Sequence, residues 1–494
     1  MKVLLVYPEY PNTFWSFKSA IKFISKKAAF PPLGLLTVAS MLPKEWKKGL
    51  IDVNIKELKD SHIEWADVVF ISGMVVQKKN AQEVINRCKA KGKTVVAGGP
   101  LFTTGYETFK NVDHFVLNEA EVTLPLFLKD FKAGKAKKIY TSDKRPDITK
   151  TPIPLWKLIN FKDYAAMAVQ YSRGCPFNCE FCDIIIMNGR VPRTKAPEQM
   201  IAEMQALYDA GWKGTLFVVD DNFIGNKVSV KKMLAKVIKW QKEHKYPFYL
   251  LTEASTNLAQ DEELMQMMSQ ANFGSVFLGI ETPNLESLKE CSKYQNTTLD
   301  LAEAVKRIHH HGMQVLGGFI VGFDNDDAGI FDAQIEFIKK VGVVTAMVGI
   351  LNAAPQTRLW HRMKQEGRLL KKTTGENTDG TLNFIPKMGA EKLVEGYRKI
   401  LANIYSPKEY YKRIDTFLKS YTPTAKERFS RDYIKAFFKS TWKIGVLSKS
   451  RFLYWRLLFK TAFTKKKAFA TAVSLAIYGL HFEQVTQQVL GSAL

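Results

Sequence analysis

Ten residues near the middle of the chain, 173–182, read R-G-C-P-F-N-C-E-F-C and place three of the protein's five cysteines, Cys175, Cys179 and Cys182, in the spacing C-x3-C-x2-C. Thiolates this close on one loop can each take one iron of a cubane cluster, leaving the fourth iron without a protein ligand. A structural site closes itself with four ligands, whereas an open position is where a small molecule binds and reacts. The loop therefore reads as catalytic. Two other readings stay open from the residues alone: a partial zinc site with a remote fourth ligand, and buried thiols acting as small hydrophobes. Phe181 adds a flat apolar surface beside the last cysteine, and Gly174 and Pro176 supply the tight backbone that lets three sulfurs converge.

The surroundings of this loop predict an α/β protein. Strand-like runs at 168–172, 215–220, 248–252, 276–280, 314–321 and 346–350 alternate with helical patterns, predicting a partial (βα)6 barrel over 166–375 with the cysteine loop after its first strand. Chemistry in parallel barrels gathers at the carboxyl ends of the strands. The candidates there are Asp220, Asp221 and Asn222, then Glu253 and Ser255, then Glu281, with Gly317, Gly318 and Gly322 allowing close backbone approach. A carboxylate can accept hydrogen bonds from an ammonium group or from two vicinal hydroxyls. Upstream, apolar runs at 3–7, 68–72, 94–97 and 114–117 alternate with helical patterns such as 81–91, predicting a doubly wound parallel sheet over 1–140. Its strands end in the turns Ser72-Gly73 and Gly98-Gly99-Pro100, where a nucleotide-like cofactor would lie. Residues 141–165, with Pro152, Pro154 and Trp156, read as a linker.

With 494 residues and 46% hydrophobic content, the chain is long enough for two or three cored domains. Outside the motif only Cys88 and Cys291 remain, too few for a disulfide framework, so a reducing cytoplasm is expected. The opening M-K-V-L-L-V-Y-P-E has an apolar run shorter than a signal-peptide core and reads as a strand. Of the net charge of +24, half lies in residues 401–494, which carry 17 Lys and Arg against 5 Asp and Glu. Residues 376–494 read as mainly helical, and 451–463, R-F-L-Y-W-R-L-L-F-K-T-A-F, interleave three cations with bulky apolar side chains ahead of Lys465-Lys466-Lys467. That mixture suits a helix lying on an anionic membrane surface, at most peripheral to its inner face; the alternative is a helical subdomain with its lysines in solvent. No nucleic-acid-binding signature accompanies the charge. The 15-residue apolar stretch 468–482 is too short to span a bilayer. The run His309-His310-His311 reads as a solvated helix end before Gly312 rather than a metal site, because adjacent helical positions do not face one point.

The cysteine loop closely resembles the cluster motif of the radical S-adenosylmethionine (SAM) enzymes. The resemblance implies a 4Fe-4S cluster on Cys175, Cys179 and Cys182, with SAM bound at the open iron near Phe181. It implies SAM contacts at Asp220, Asp221, Glu253, Ser255 and Glu281, although Asp220-Asp221-Asn222 stands where the family has a Gly-Gly-Glu-like turn. The first 140 residues resemble the cobalamin-binding domain of cobalamin-dependent members, through Pro31-Pro32-Leu33-Gly34-Leu35, Ser72-Gly73, Gly98-Gly99-Pro100 and Asn118-Glu119-Ala120-Glu121. Ser72, Gly73, Gly98, Gly99 and Glu119 are thereby implied to meet cobalamin. A D-x-H-x-x-G signature is absent and the first histidine is His62, so cobalt without a protein imidazole is implied. With Asn383-Phe384-Ile385-Pro386 and Ile404-Tyr405-Ser406-Pro407, the chain to about Tyr421 is similar to the subfamily that includes hopanoid C-methylases. This implies methylation of an unactivated carbon of a hydrophobic or lipid substrate, fed by a flavodoxin- or ferredoxin-like electron donor. The alternatives are radical carbon–carbon bond formation, cyclisation or rearrangement of a lipid, and a non-enzymatic iron–sulfur redox protein at the membrane.

Overall fold

The structure, a computed structural model, describes residues 1–370, 375, 376, 378–426 and 431–491. Two parallel six-stranded sheets organise it. The first contains β1 (Lys2–Tyr7), β2 (Lys47–Asp52), β3 (Val68–Ser72), β4 (Thr94–Gly98), β5 (His114–Val116) and β6 (Ile139–Tyr140), in the order β2-β1-β3-β4-β5-β6. The reversal beside β1 makes it doubly wound. Both faces are covered, as a parallel sheet requires: along β1, Leu4 and Val6 join one core while Val3 and Leu5 join the other.

The second sheet contains β7 (Met167–Val169), β8 (Gly214–Val218), β9 (Phe248–Ala254), β10 (Phe273–Glu281), β11 (Gln314–Val321) and β12 (Thr345–Ile350). Each strand pairs with the next in sequence, giving an arc open between β12 and β7. Helices cover its outer face. On β9, Phe248 stacks on Trp240 of the outer helix Lys227–Glu243 with ring centroids 5.3 Å apart. The strand alternates, so Tyr249, Leu251 and Glu253 point the other way, into the arc, and are only partly buried.

The C-terminal region contains helices Ala390–Ile404, Pro407–Ser420, Arg431–Ser440, Arg451–Thr464 and Phe469–Gly491. The last takes up residues 469–482 of the apolar stretch and closes on the chain's beginning: Phe482 stacks on Phe14 at 4.4 Å. Among the described residues no helix is long and apolar enough to cross a membrane.

Two strands, β2 and β6, were not expected. K-K-G-L-I-D has a charged half and a glycine, and β6 has two residues, so neither shows an apolar run. The histidine run also differs from a solvated end. His310 is exposed, but His309 is fully buried, meets Phe417 edge-on at 4.9 Å, and burial lowers its pKa to about 3. The helix Pro407–Ser420 covers it, a contact that local sequence does not encode.

Candidate active site

The cysteine loop begins just beyond β7, and carboxylates from neighbouring strands fix its shape. Asp220, buried beyond β8, accepts hydrogen bonds from the Tyr171 N–H and the Ser172 hydroxyl, each 2.7 Å. Asp221 accepts from the Gly174 N–H at 2.7 Å and from the Asn188 amide at 2.9 Å. Burial pushes both carboxyls up, Asp220 to about 7, and these donors oppose the shift. Gly174 has φ +97°, and a Cβ there would meet the Val191 carbonyl at 2.9 Å, so the turn requires glycine. Between the second and third cysteines, Glu180 is buried and accepts from Arg362 through both oxygens, at 2.8 and 3.0 Å. Arg362 also reaches Asp324 at 2.6 Å and Glu290 at 3.3 Å.

A second ion cluster ties this loop to the first sheet. Arg173 donates to both oxygens of Glu121, at 2.8 and 3.1 Å, and to Glu119 at 2.8 Å. Arg193 donates to both oxygens of Glu119, at 2.8 and 3.0 Å. Burial raises the Glu121 carboxyl, but Arg173 outweighs it and the pKa is lowered. Glu119, expected at a cofactor, is thus engaged as the joint between the two sheets.

The sulfurs have donors facing them. Asn222 Nδ2 lies 3.7 Å from Cys175 Sγ and Gln295 Nε2 lies 3.6 Å from Cys179 Sγ. Hydrogen bonds to sulfur are among the groups that tune a cluster. Burial pushes the Cys175 and Cys182 thiols up, which keeps them neutral until a metal claims them. Among the described residues no three His, Cys, Asp or Glu side chains form a single-ion site. A cubane instead takes each sulfur on a separate iron, and one loop carrying three cysteines with amide donors fits that demand.

The other expected residues divide by whether the described residues engage them. Glu281, at φ +66° and buried, is paired with the ammonium of Lys293, which stands 5.9 Å over the Phe181 ring. Burial opposes that ammonium, but Glu281 and Cys179 hold its pKa above the ordinary lysine value. Ser255 accepts from Asn222 at 3.2 Å and donates to Asn257 at 2.6 Å, extending the chain of contacts from Cys175. Glu253 differs. Burial first, then the charges of Asp221 and Asp220, push its carboxyl up to about 7, with no hydrogen bond from the described residues to oppose them.

At the end of β4, the protein's own packing and backbone require two of the glycines, Gly98 and Gly99. A Cβ on Gly98 would meet the Val116 carbonyl at 2.6 Å, and one on Gly99, at φ +85°, would meet Ser72 Oγ at 2.2 Å. A Cβ on Gly73 would meet Gln77 Oε1 at 3.0 Å. His62 sits on the short helix Asp60–Trp65 leading into β3, its Nδ1 accepting from the Lys59 N–H. It therefore lies by the entering end of β3, opposite the Ser72-Gly73 turn at its carboxyl end.

Inside the arc, large apolar side chains gather beside the polar groups of the strand ends. Phe217 of β8 meets Phe30 at 5.2 Å, and Phe277 of β10 meets Trp15 at 5.3 Å. The Trp15 indole N–H points at Met347 Sδ of β12, 2.7 Å away. Trp15 and Phe30 come from the segment after β1, so the first domain supplies part of the barrel's interior. Sequence reasoning missed Trp15, Phe30, Lys293, Gln295 and Arg362. The aromatic run F-W-S-F at 14–17 was a usable signal; the others have none, because their partners are remote in sequence.

Comparison with known proteins agrees with this geometry. Residues 169–338 match the radical SAM superfamily, and residues 357–493 match a domain of unknown function, DUF4070. A Synechocystis protein named as an uncharacterized methyltransferase is 41% identical over 100% of this chain and 94% of its own. The hopanoid C-2 methylase of Rhodopseudomonas palustris is 32% identical, covering 92% of this chain and 88% of its own. Among solved structures, OxsB, a cobalamin-dependent SAM radical enzyme, aligns with a TM-score of 0.62 at 16% identity, over 99% of this chain and 79% of its own. TsrM of Kitasatospora setae, a radical SAM methyltransferase, aligns with a TM-score of 0.59 at 14% identity, over 74% and 78%. The fold is that of the radical SAM enzymes. The chain belongs to that superfamily, in the family of methyltransferases that includes the hopanoid C-2 methylase.

Proposed function

We propose that the protein is a cobalamin-dependent radical SAM C-methyltransferase acting on an unactivated carbon of a hydrophobic, lipid-type substrate. The observation that carries this reading is the set of large apolar side chains inside the arc, Phe217, Leu251, Phe277, Met347, Trp15 and Phe30, with the cysteine loop at the strand ends beside them. The relative that methylates a hopanoid supports the substrate class.

In this reading Cys175, Cys179 and Cys182 hold a 4Fe-4S cluster, and Phe181 with Glu253 borders SAM. The ends of β3 and β4, with Ser72, Gly73, Gly98 and Gly99, border cobalamin, whose cobalt takes no protein imidazole in this reading. When bound, SAM with the reduced cluster supplies a hydrogen-abstracting radical and cobalamin supplies the methyl group. The chain's own residues do the rest. Asp221 and Gly174 fix the loop; Glu180, held by Arg362, fixes its far end; Asn222 and Gln295 orient toward two sulfurs; the aromatic lining excludes water from reactive carbon. A flavodoxin- or ferredoxin-like protein delivers electrons, and contact with the membrane is peripheral.

The test is anaerobic reconstitution with iron, sulfide, cobalamin, SAM, reductant and a lipid extract, with 5′-deoxyadenosine and S-adenosylhomocysteine quantified together. Both rise only when lipid is present, and Cys179→Ala abolishes both. Deoxyadenosine rising without S-adenosylhomocysteine would replace methylation by radical rearrangement or carbon–carbon bond formation.

A further inference from the structure

The hairpin of helices Arg431–Ser440 and Arg451–Thr464 turns several large apolar side chains outward. On its first limb and the π-helical turn that continues it, Ile434, Phe438 and Trp442 are 41%, 66% and 61% exposed. A four-residue spacing puts them on one face. On the second limb Phe452, Phe459 and Phe463 are 74%, 58% and 80% exposed, while Tyr454, Leu457 and Leu458 are buried. Helices that merely cover a core do the reverse, and exposed apolar patches mark interaction sites. The hairpin is also braced internally: the Ser440 and Tyr454 hydroxyls are 2.8 Å apart, and the Trp455 indole donates to the Gly445 carbonyl at 3.0 Å.

Cations interleave with this ridge. Lys435, Lys443, Lys449, Arg451, Lys466 and Lys467 are all exposed. From 451 to 467, only Arg456 and Lys460 are ion-paired among the described residues, both with Asp415. We propose that this face docks the enzyme on an anionic bilayer surface, its aromatic side chains entering the acyl boundary and its lysines meeting the headgroups. A second copy of the chain is the weaker occupant, because a self-complementary contact would press the same cations together on a protein of net charge +24.

The docking face adjoins the segment that enters the barrel. Lys439 Nζ donates to the Lys22 carbonyl at 3.1 Å and to Ser25 Oγ at 2.9 Å, and Lys443 Nζ stands 5.3 Å over the Phe23 ring. That segment carries Trp15 and Phe30 into the arc. The proposal deepens the lipid-substrate reading and rests on it for its purpose, but docking is measured by itself.

Full-length protein is sedimented with vesicles of phosphatidylcholine alone and of phosphatidylcholine with phosphatidylglycerol. The expected result is binding to the anionic vesicles that weakens with salt. The triple variant Phe438→Ser, Phe459→Ser, Phe463→Ser loses at least tenfold in affinity, and so does Lys449→Gln, Lys466→Gln, Lys467→Gln, while both keep the circular dichroism and the reconstituted iron content of wild type. Wild type and both variants binding equally would overturn the proposal. So would a wild type that ignores vesicles but forms a dimer lost in the aromatic variant, which would assign the face to a second copy. Docking that depends on the ridge, without methylation of any lipid offered, leaves this inference standing and removes the substrate assignment.

Discussion

Glu253 stands apart from the other carboxylates at the barrel mouth because no group among the described residues donates to its carboxyl. Asp220, Asp221 and Glu281 are engaged with the chain's own N–H, hydroxyl or ammonium groups, whereas Glu253 is held up to about 7 by burial and by Asp221 and Asp220. In cluster-free protein the folded chain keeps the Glu253 proton up to about 7, while an unfolded glutamate releases it near 4.5. Between those values the native state binds more protons than the unfolded state, so this group makes stability fall as pH rises. Glu253→Gln removes that slope. Urea denaturation at a series of pH values should find variant and wild type alike near pH 4.5, the variant's advantage growing up to about pH 7 and then level. A constant difference across the range would show that the carboxyl does not titrate as described. The residues were legible as polar groups at strand ends; which one has no donor among the described residues was not, since each partner arrives from another part of the chain.

Helix Arg358–Gln365 has a charged, unremarkable sequence, R-L-W-H-R-M-K-Q, yet it brings Arg362 against the cysteine loop. Arg362 holds Glu180 and Asp324 together, and Arg368 joins Asp324 at 2.6 Å. Burial raises the Asp324 carboxyl, but hydrogen bonds from Arg368 and Arg362 prevail and bring it down to about 2. The two arginines lie in the DUF4070 region, while Glu180 lies in the cysteine loop and Asp324 just beyond β11, so this element joins the two regions at the cluster loop. Removing the arginine leaves the buried Glu180 carboxylate uncompensated, and because Arg362 keeps 27% of its side chain exposed the cost is below that of a fully buried pair, about 2 kcal/mol. Arg362→Met should lower the urea midpoint accordingly and reduce iron retained after reconstitution. Adding Glu180→Gln should recover most of the stability, and failure to do so would assign the loss to packing of the helix instead.

At the scale of the whole molecule, the segment after β1 leaves the first domain, runs beneath the last helix and places Trp15 among Phe277 and Met347. Trp15→Ala should loosen the fit of a hydrophobic substrate while leaving SAM cleavage intact. Deoxyadenosine formed per S-adenosylhomocysteine should then rise severalfold in the reconstituted assay; an unchanged ratio would remove Trp15 from the substrate's surroundings. Sequence by itself determined the parts that local chemistry encodes. The cysteine spacing, the apolar strand runs at 68–72 and 314–321, and the glycine turns at the strand ends are each set by a few adjacent residues, and the strands appear as Val68–Ser72 and Gln314–Val321. The charged strand β2, the burial of His309, the Glu119 joint and the entry of Trp15 into the barrel were decided only by tertiary structure. In each case the stabilising partner lies tens to hundreds of residues away, and burial, which sets the strength of every ion pair here, exists only once the chain has closed on itself.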